Sequence, residues 1–229
     1  TDAIQNLRFK PTPNRITGTS ETVTFTIQVT GTPASTDTLT LTVFPNNDAP
    51  AIVSGSTEIR INDDEVATPF AAMSVTDADA GGAQPVTVTV SLIGQDPDTN
   101  SPLAGGGTLA PDAGAPAVPG VTFSSTGAYP NTTYTIVGTP SAVTTFLQAL
   151  VFTPEANRNA VGERETVTFT VFVDDQKGGT AQNQNTTVVV TSVNGAPQIN
   201  NVPLLSQQPF PMPASGNSMT MPFEGLTVA

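Results

Sequence analysis

The chain has no cysteine, no histidine and no tryptophan. Without cysteine there is no disulfide, no thiolate nucleophile and no sulfur-ligated metal. Without histidine as well, the commonest general base, the commonest nucleophilic pair and the usual zinc ligands are gone. Positive charge is scarce too: 7 Lys and Arg stand against 19 Asp and Glu, a net charge of −12. That balance argues against a nucleic-acid partner, which needs a basic footprint, and against docking on an anionic membrane. No apolar run reaches the length that spans a bilayer, so membrane insertion is not expected. The first residues do not read as a secretion signal. Thr1 in place of an initiator methionine reads as a processed product or a fragment. Aromatic residues are few, and only two are tyrosine, which leaves little to stack on a sugar.

What is present in quantity is repetition. Leu7-Arg8-Phe9-Lys10-Pro11 returns as Leu150-Val151-Phe152-Thr153-Pro154. Glu21-Thr22-Val23-Thr24-Phe25-Thr26 returns as Glu165-Thr166-Val167-Thr168-Phe169-Thr170. Asn47-Asp48-Ala49-Pro50 returns as Asn194-Gly195-Ala196-Pro197, which sets a period of 147 residues from Pro50 to Pro197. Residues 49–196 thus form one complete repeat, long enough to bury a core without staples. Residues 1–48 are the closing part of a repeat before it, and residues 197–229 the opening part of one after it. Chains of this kind are usually pieces of linear arrays, which serve as stalks, fibres or adhesive surfaces.

The local pattern is that of strands. Val23, Phe25, Ile27 and Val29 alternate with Thr22, Thr24, Thr26 and Gln28, and the second copy repeats this with Val167, Phe169, Val171 and Val173. Val86, Val88, Val90 and Leu92 alternate with Thr87, Thr89 and Ser91, and Leu39, Leu41 and Val43 are matched by the run from Thr186 to Val190. Period-two patterning with β-branched residues predicts half-buried strands in mainly antiparallel sheets. Turn clusters such as Gly31-Thr32-Pro33 and Lys177-Gly178-Gly179 separate them. The expected fold is therefore an all-β, antiparallel, Ig-like β-sandwich in tandem array. One short helix is expected near residues 141–150, capped by Ser141, with Val143, Phe146, Leu147 and Leu150 on one face. Its end is expected again in the residues before Leu7. Residues 94–120, rich in Gly, Pro, Ala and Asp, read as a long loop or insertion.

The acids lie where strands end. Asp77-Ala78-Asp79 follows the strand ending at Val75, Asp174-Asp175 follows the one ending at Val173, and Asn47-Asp48 precedes the Ala-Pro linker. A sandwich whose strands begin at the linker would bring Asp48, Asp77, Asp79 and Asp174 to one pole. Calcium takes six to eight oxygen ligands on flexible loops, and this set could supply them. The same residues taken as turn formers need no ion. Asn62-Asp63-Asp64-Glu65 is expected to be a turn preceding a strand.

Val75-Thr76-Asp77-Ala78-Asp79, Val173-Asp174-Asp175, Asn47-Asp48-Ala49-Pro50 and Leu150-Val151-Phe152-Thr153-Pro154 resemble the signatures of cadherin-like repeats in large bacterial surface proteins. The resemblance covers the complete repeat and both partial ones. It implies an extracellular, cell-surface location and calcium held between successive domains by Asn47, Asp48, Asp77, Asp79 and Asp174, with Asp175 as a spare. The second linker has Gly195 where the first has Asp48, and the first copy has Thr30-Gly31 where the second has Asp174-Asp175. The resemblance thus implies calcium at the first junction, not as a general glue.

Half a sandwich exposes apolar faces and unpaired strand edges, so each partial repeat needs a partner surface. The first expectation is a structural, adhesive protein assembled into a filament. Its partners would be identical subunits joined head to tail by β-strand complementation of the end half-domains. Equivalents of residues 76–143 occur in neither half, so the joint domain would be smaller than the central one. The alternative partner is an adjacent repeat of the same chain, in a long calcium-rigidified adhesin stalk. A carbohydrate-binding module of a secreted enzyme is a third reading, and it requires exposed aromatics for which only Tyr129 and Tyr134 offer themselves. Two carboxylates across a cleft could hydrolyse a glycoside, but nothing fixes such a pair, and no enzyme activity is expected.

Overall fold

The structure, a computed structural model, describes residues 2–14, 19–54, 57–96, 99, 101–104, 106–127, 131–195, 199–200 and 227–228. The chain divides into two compact units, Thr1–Val193 and Asn194–Ala229. The first begins with a short helix α1 (Asp2–Gln5) and a hairpin of β1 (Glu21–Val29) and β2 (Ser35–Val43). It continues through β3 (Ala51–Val53), β4 (Thr57–Asn62), β5 (Ser74–Thr76), β6 (Val86–Gln95), β7 (Pro102–Ala104), β8 (Gly107–Pro111), β9 (Thr122–Thr126) and β10 (Thr133–Gly138). Helix α2 (Pro140–Gln148), β11 (Leu150–Pro154), β12 (Arg164–Asp174) and β13 (Thr180–Thr191) complete it. The second unit holds β14 (Ile199–Asn200) and β15 (Thr227–Val228). The fold is all-β, and among the described residues no helix is long and apolar enough to cross a membrane.

The complete repeat is a two-layer sandwich. One layer is a seven-stranded sheet in the order β4-β13-β12-β6-β10-β9, with β7 on the end of β6. The other is made of the pairs β3–β5 and β8–β11, with an isolated bridge from Ala67 to Phe152 of β11. The alternation seen in the sequence puts Val86, Val88 and Val90 of β6 and Val167, Phe169, Val171 and Val173 of β12 on the inner face, all fully buried. Each such side chain contributes roughly 1.5–3 kcal/mol by leaving water. Phe169 meets rings from the opposite layer edge to face: Phe70 at 5.4 Å and Phe152 at 5.3 Å. One pairing departs from the antiparallel rule. β4 lies parallel to β13, with Thr57 beside Thr186 and Asn62 beside Thr191.

The β1–β2 hairpin repeats the register of the β12–β13 hairpin as far as Phe25 and Phe169, beyond which the β12–β13 pairing shifts by one residue. Glu21 faces Val43 as Glu165 faces Val190. In the complete repeat, β12 also pairs with β6 and β13 with β4. Among the described residues β1 and β2 have no such outer partners. The apolar face is accordingly open: Leu39 is 62% exposed and Leu41 43% exposed, whereas Val188, the counterpart of Leu41, is fully buried. In the second unit, Ile199 pairs with Val228 and Asn200 with Thr227. This reproduces Ile52 with Val75 and Val53 with Ser74 in the β3–β5 pair.

Three local expectations are corrected. Helix α2 is capped by Thr139, whose hydroxyl accepts from the Ala142 amide at 3.4 Å, not by Ser141. Pro140 at the first helical position holds the residue before it extended, at φ −64° and ψ 152°, so the cap falls one residue before the proline. Val143 and Leu147 are fully buried beneath the helix, and α1 ends at Gln5, the counterpart of Gln148. Residues 94–120 are not one long loop, since β7 and β8 lie within them. Gly107 in β8 is required there, because a Cβ would run into the Phe152 ring and the Thr153 carbonyl. The turn at residues 63–65 follows β4 instead of leading into a strand. The expected third partial repeat lies largely outside the described residues, as does Tyr129.

Candidate metal centre at the repeat junction

The linker between the hairpin and the complete repeat is drawn against the pole where β5 and β12 end. Asn47 donates from Nδ2 to Asp175 Oδ2 at 2.8 Å. The Asp48 amide donates to Asp79 Oδ2 at 2.9 Å, and the Asp79 amide to Asp77 Oδ1 at 2.8 Å. Asp175 Oδ1 accepts from the Lys177 and Gly179 amides at 2.7 and 2.9 Å. Gly179 lets the linker come this close. A Cβ there would meet the Asp175 carboxylate and stand 2.7 Å from the Ala49 Cα and 3.1 Å from the Asn47 side chain. A crevice of about 900 Å³ opens beside the cluster, with Asn46 and Asn47 in one wall and Asp79, Thr87 and Asp175 in the other.

Asp77 is buried at 9% exposure and Asp175 at 2%, but of the two only Asp77 has an oxygen, Oδ2, with no hydrogen-bond partner. Its pKa is pushed up, mainly by burial and further by the like charges of Asp79, Asp175 and Asp48, against the lowering pull of the Asp79 amide. Asp175 moves the other way. Burial alone would raise it, but the Asn47 amide and the Lys177, Gly179 and Gly178 backbone amides hold it below its ordinary value. An orphaned, buried carboxylate oxygen facing other acids is the environment a hard cation relieves. As the side chains stand, no group of three acids among the described residues is close enough to hold a metal ion.

The sequence reading placed Asp48, Asp77 and Asp79 at this pole, and they meet there. Of the pair at the end of β12, Asp175 and not Asp174 joins them. Asp174 shares the outward face of β12 with Phe172, and its Oδ1 accepts from the Gln176 amide at 2.7 Å. Tyr134, a candidate sugar-stacking residue, is buried in the core, where its hydroxyl accepts from the Leu109 amide at 3.0 Å.

Two further buried acids escaped sequence reasoning. Asp63, 6% exposed, accepts from the Val193 amide, the Asn157 amide and the Ser192 hydroxyl, each at 3.0 Å. Burial raises its pKa, but these bonds outweigh it and leave the group below its ordinary value. Asp63 therefore ties the turn after β4 to the exit of β13. Glu165 lies at the end of β12 remote from Asp175. It is 2% exposed, with Oε1 unpartnered and Oε2 3.4 Å from Arg158 Nε. Burial pushes its pKa up against the pull of Arg158 and Asn159. Its recurrence as Glu21 in the first copy was the one available signal.

No family model and no curated protein matches this chain.

Proposed function

We propose that this protein is a structural and adhesive component of the extracellular surface, a filament subunit assembled head to tail from β-sandwich repeats. The opening strands of one subunit complete the closing hairpin of the next, so the partners are identical subunits. One observation carries the reading: the same hairpin is sealed in the complete repeat and open in the partial one. Val167, Phe169, Val171 and Val173 are fully buried, while Ile27 and Val29 in the equivalent strand are 41% and 56% exposed. An open apolar face whose outer strand edges pair with no other described strand invites strand addition, in which main-chain hydrogen bonds form along a whole strand. Because donor and acceptor surfaces differ, the contact does not close on itself and the product is open-ended.

Sedimentation of the purified chain tests this. Concentration-dependent polymers are expected, and a chain lacking residues 219–229 is expected to stay monomeric. A truncated chain that still polymerises would overturn the reading. A wild-type chain that stays monomeric at high concentration favours an adjacent repeat of a longer stalk as the partner.

A second reading concerns calcium, and the orphaned Oδ2 of Asp77 favours it. Asp48, Asp77, Asp79 and Asp175 would take up the ion, with Asn47 available as an amide oxygen ligand. The ion would remove the like-charge strain at the pole and stiffen the linker. Thermal melting with calcium and with chelator is expected to give different midpoints for the complete repeat. Identical transitions would refute the calcium reading.

A further inference from the structure

The ring cluster of the complete repeat has counterparts in the two partial repeats, divided between them. Phe70, Phe152 and Phe169 are all fully buried, and Phe169 sits between the other two. In the first partial repeat Phe25 stands where Phe169 does and Phe9 where Phe152 does. Phe9 and Phe25 meet at 5.2 Å and 76°, the same edge-to-face contact. Among the described residues no ring takes the place of Phe70 beside this hairpin, and Phe9 is 41% exposed.

A counterpart of Phe70 exists at the other end of the chain. Residues 221–228 align with residues 68–75, so that Pro222, Phe223, Leu226 and Val228 stand for Pro69, Phe70, Met73 and Val75. The strands obey this alignment, because Val228 pairs with Ile199 as Val75 pairs with Ile52. In the complete repeat, Phe70, Met73 and Val75 belong to the buried core beneath β12. Three residues before Phe70, Ala67 exchanges backbone hydrogen bonds with Phe152 at 3.0 and 2.8 Å. The matching positions are Thr220 and Phe9.

We propose that Phe223 of one copy seats against Phe25 of a second copy, completing the ring cluster, with Thr220 bridging to Phe9 through the backbone. The proposal rests on the head-to-tail reading and names its contact. It fits an aromatic side chain to an aromatic position whose surroundings the complete repeat defines. The heterologous geometry follows, since the donor ring and the acceptor ring lie in different parts of the chain.

The test uses two full-length variants. F223A keeps an intact acceptor but cannot donate, and F25A donates but cannot accept. Losing a buried phenylalanine in a packed site weakens the junction roughly 100- to 4,000-fold, so each variant alone is expected to be monomeric by sedimentation. Mixed one to one, they retain a single good junction and are expected to form a dimer and nothing larger. F25L, which keeps an apolar side chain, checks that F25A has not simply unfolded the hairpin. It should weaken assembly less, with an unchanged circular dichroism spectrum. Polymers from F223A alone, or monomers from the mixture while the wild type polymerises, overturn this contact and leave the head-to-tail reading standing. A wild type that never assembles overturns both.

Discussion

Phe169 and Phe25 occupy the same place in two copies of one motif, so the same substitution at each measures what the surrounding sandwich contributes. Phe169 has no exposed surface and meets two rings edge to face. Truncating such a phenylalanine typically costs about 3–5 kcal/mol, of which each ring pair accounts for roughly 0.5–1.5. We therefore expect F169A to lower stability by about 4 kcal/mol, a large part of the ~5–15 kcal/mol available to a domain. Phe25 is half-buried and meets one ring, so in the unassembled chain F25A should cost roughly 1 kcal/mol. Tyrosine fluorescence during urea unfolding separates the two. The chain has no tryptophan, and both tyrosines, Tyr129 and Tyr134, belong to the complete repeat. F169A should move the tyrosine-monitored midpoint strongly toward lower urea. F25A should leave that midpoint nearly in place and lower only the hairpin's own protection from hydrogen exchange. Equal shifts of the tyrosine signal would refute the claim that the hairpin of the partial repeat lacks its other half.

Other outcomes follow from the buried acids and the close-packed glycine. D63N should cost about 2–3 kcal/mol at pH 7, because it weakens three bonds to a charged group and aims an amide at donors. Asp63 titrates below its ordinary value, so its contribution is complete above the unfolded carboxylate pKa near ~3.9. That contribution fades as pH falls through the lower folded value, and the difference between D63N and wild type should shrink in the same window. Asp77 has the opposite sign. Its raised pKa means that cation-free stability declines as pH rises from the unfolded value through the folded one. D77N should abolish that decline, melt higher than wild type in chelator by of order 1 kcal/mol, and lose any calcium response. G107A should destabilise by about 1–3 kcal/mol or more through its clash with β11. G114A, whose Cβ would meet nothing closer than 3.8 Å, should stay within about 0.5 kcal/mol in urea titration.

The long strands were legible because β12, β13, β6, β1 and β2 each carry β-branched residues at period two, and one inner face must be apolar. The pairing of β14 with β15 copies that of β3 with β5 and was not read from the sequence, where neither pair of short strands shows a periodic pattern. The short strands were not legible. β8 is built around Gly107, which is chosen for the approach of Phe152 and carries no strand signal of its own. The helix start was misplaced by two residues because the preference of Ser141 for a cap position is overridden by Pro140, which constrains the residue before it. Of the pole acids, spacing identified the loops, and the choice between the two adjacent aspartates depends on the phase of the pleat. That phase runs unbroken through Val167, Phe169, Val171 and Val173 of β12, so Asp174 continues the outward set and Asp175 the inward one, whereas the resemblance favours Asp174. Asp63 was read as an ordinary turn residue because its partners, Asn157 and Val193, lie 94 and 130 positions away.

The parallel pairing of β4 with β13 has a mechanical consequence. β4 follows the short β3 close to where the chain enters the complete repeat, β13 is its last strand, and the two run side by side over residues 57–62 and 186–191. Tension applied along a rod of such repeats pulls β4 by its start and β13 by its end, in opposite directions along the shared ladder. The hydrogen bonds between them are then loaded together in shear, whereas a hairpin pulled at its open end breaks its bonds one at a time. Asp63 pins the far end of the same ladder to Ser192 and Val193. A repeat loaded in this way resists along the whole β4–β13 ladder at once.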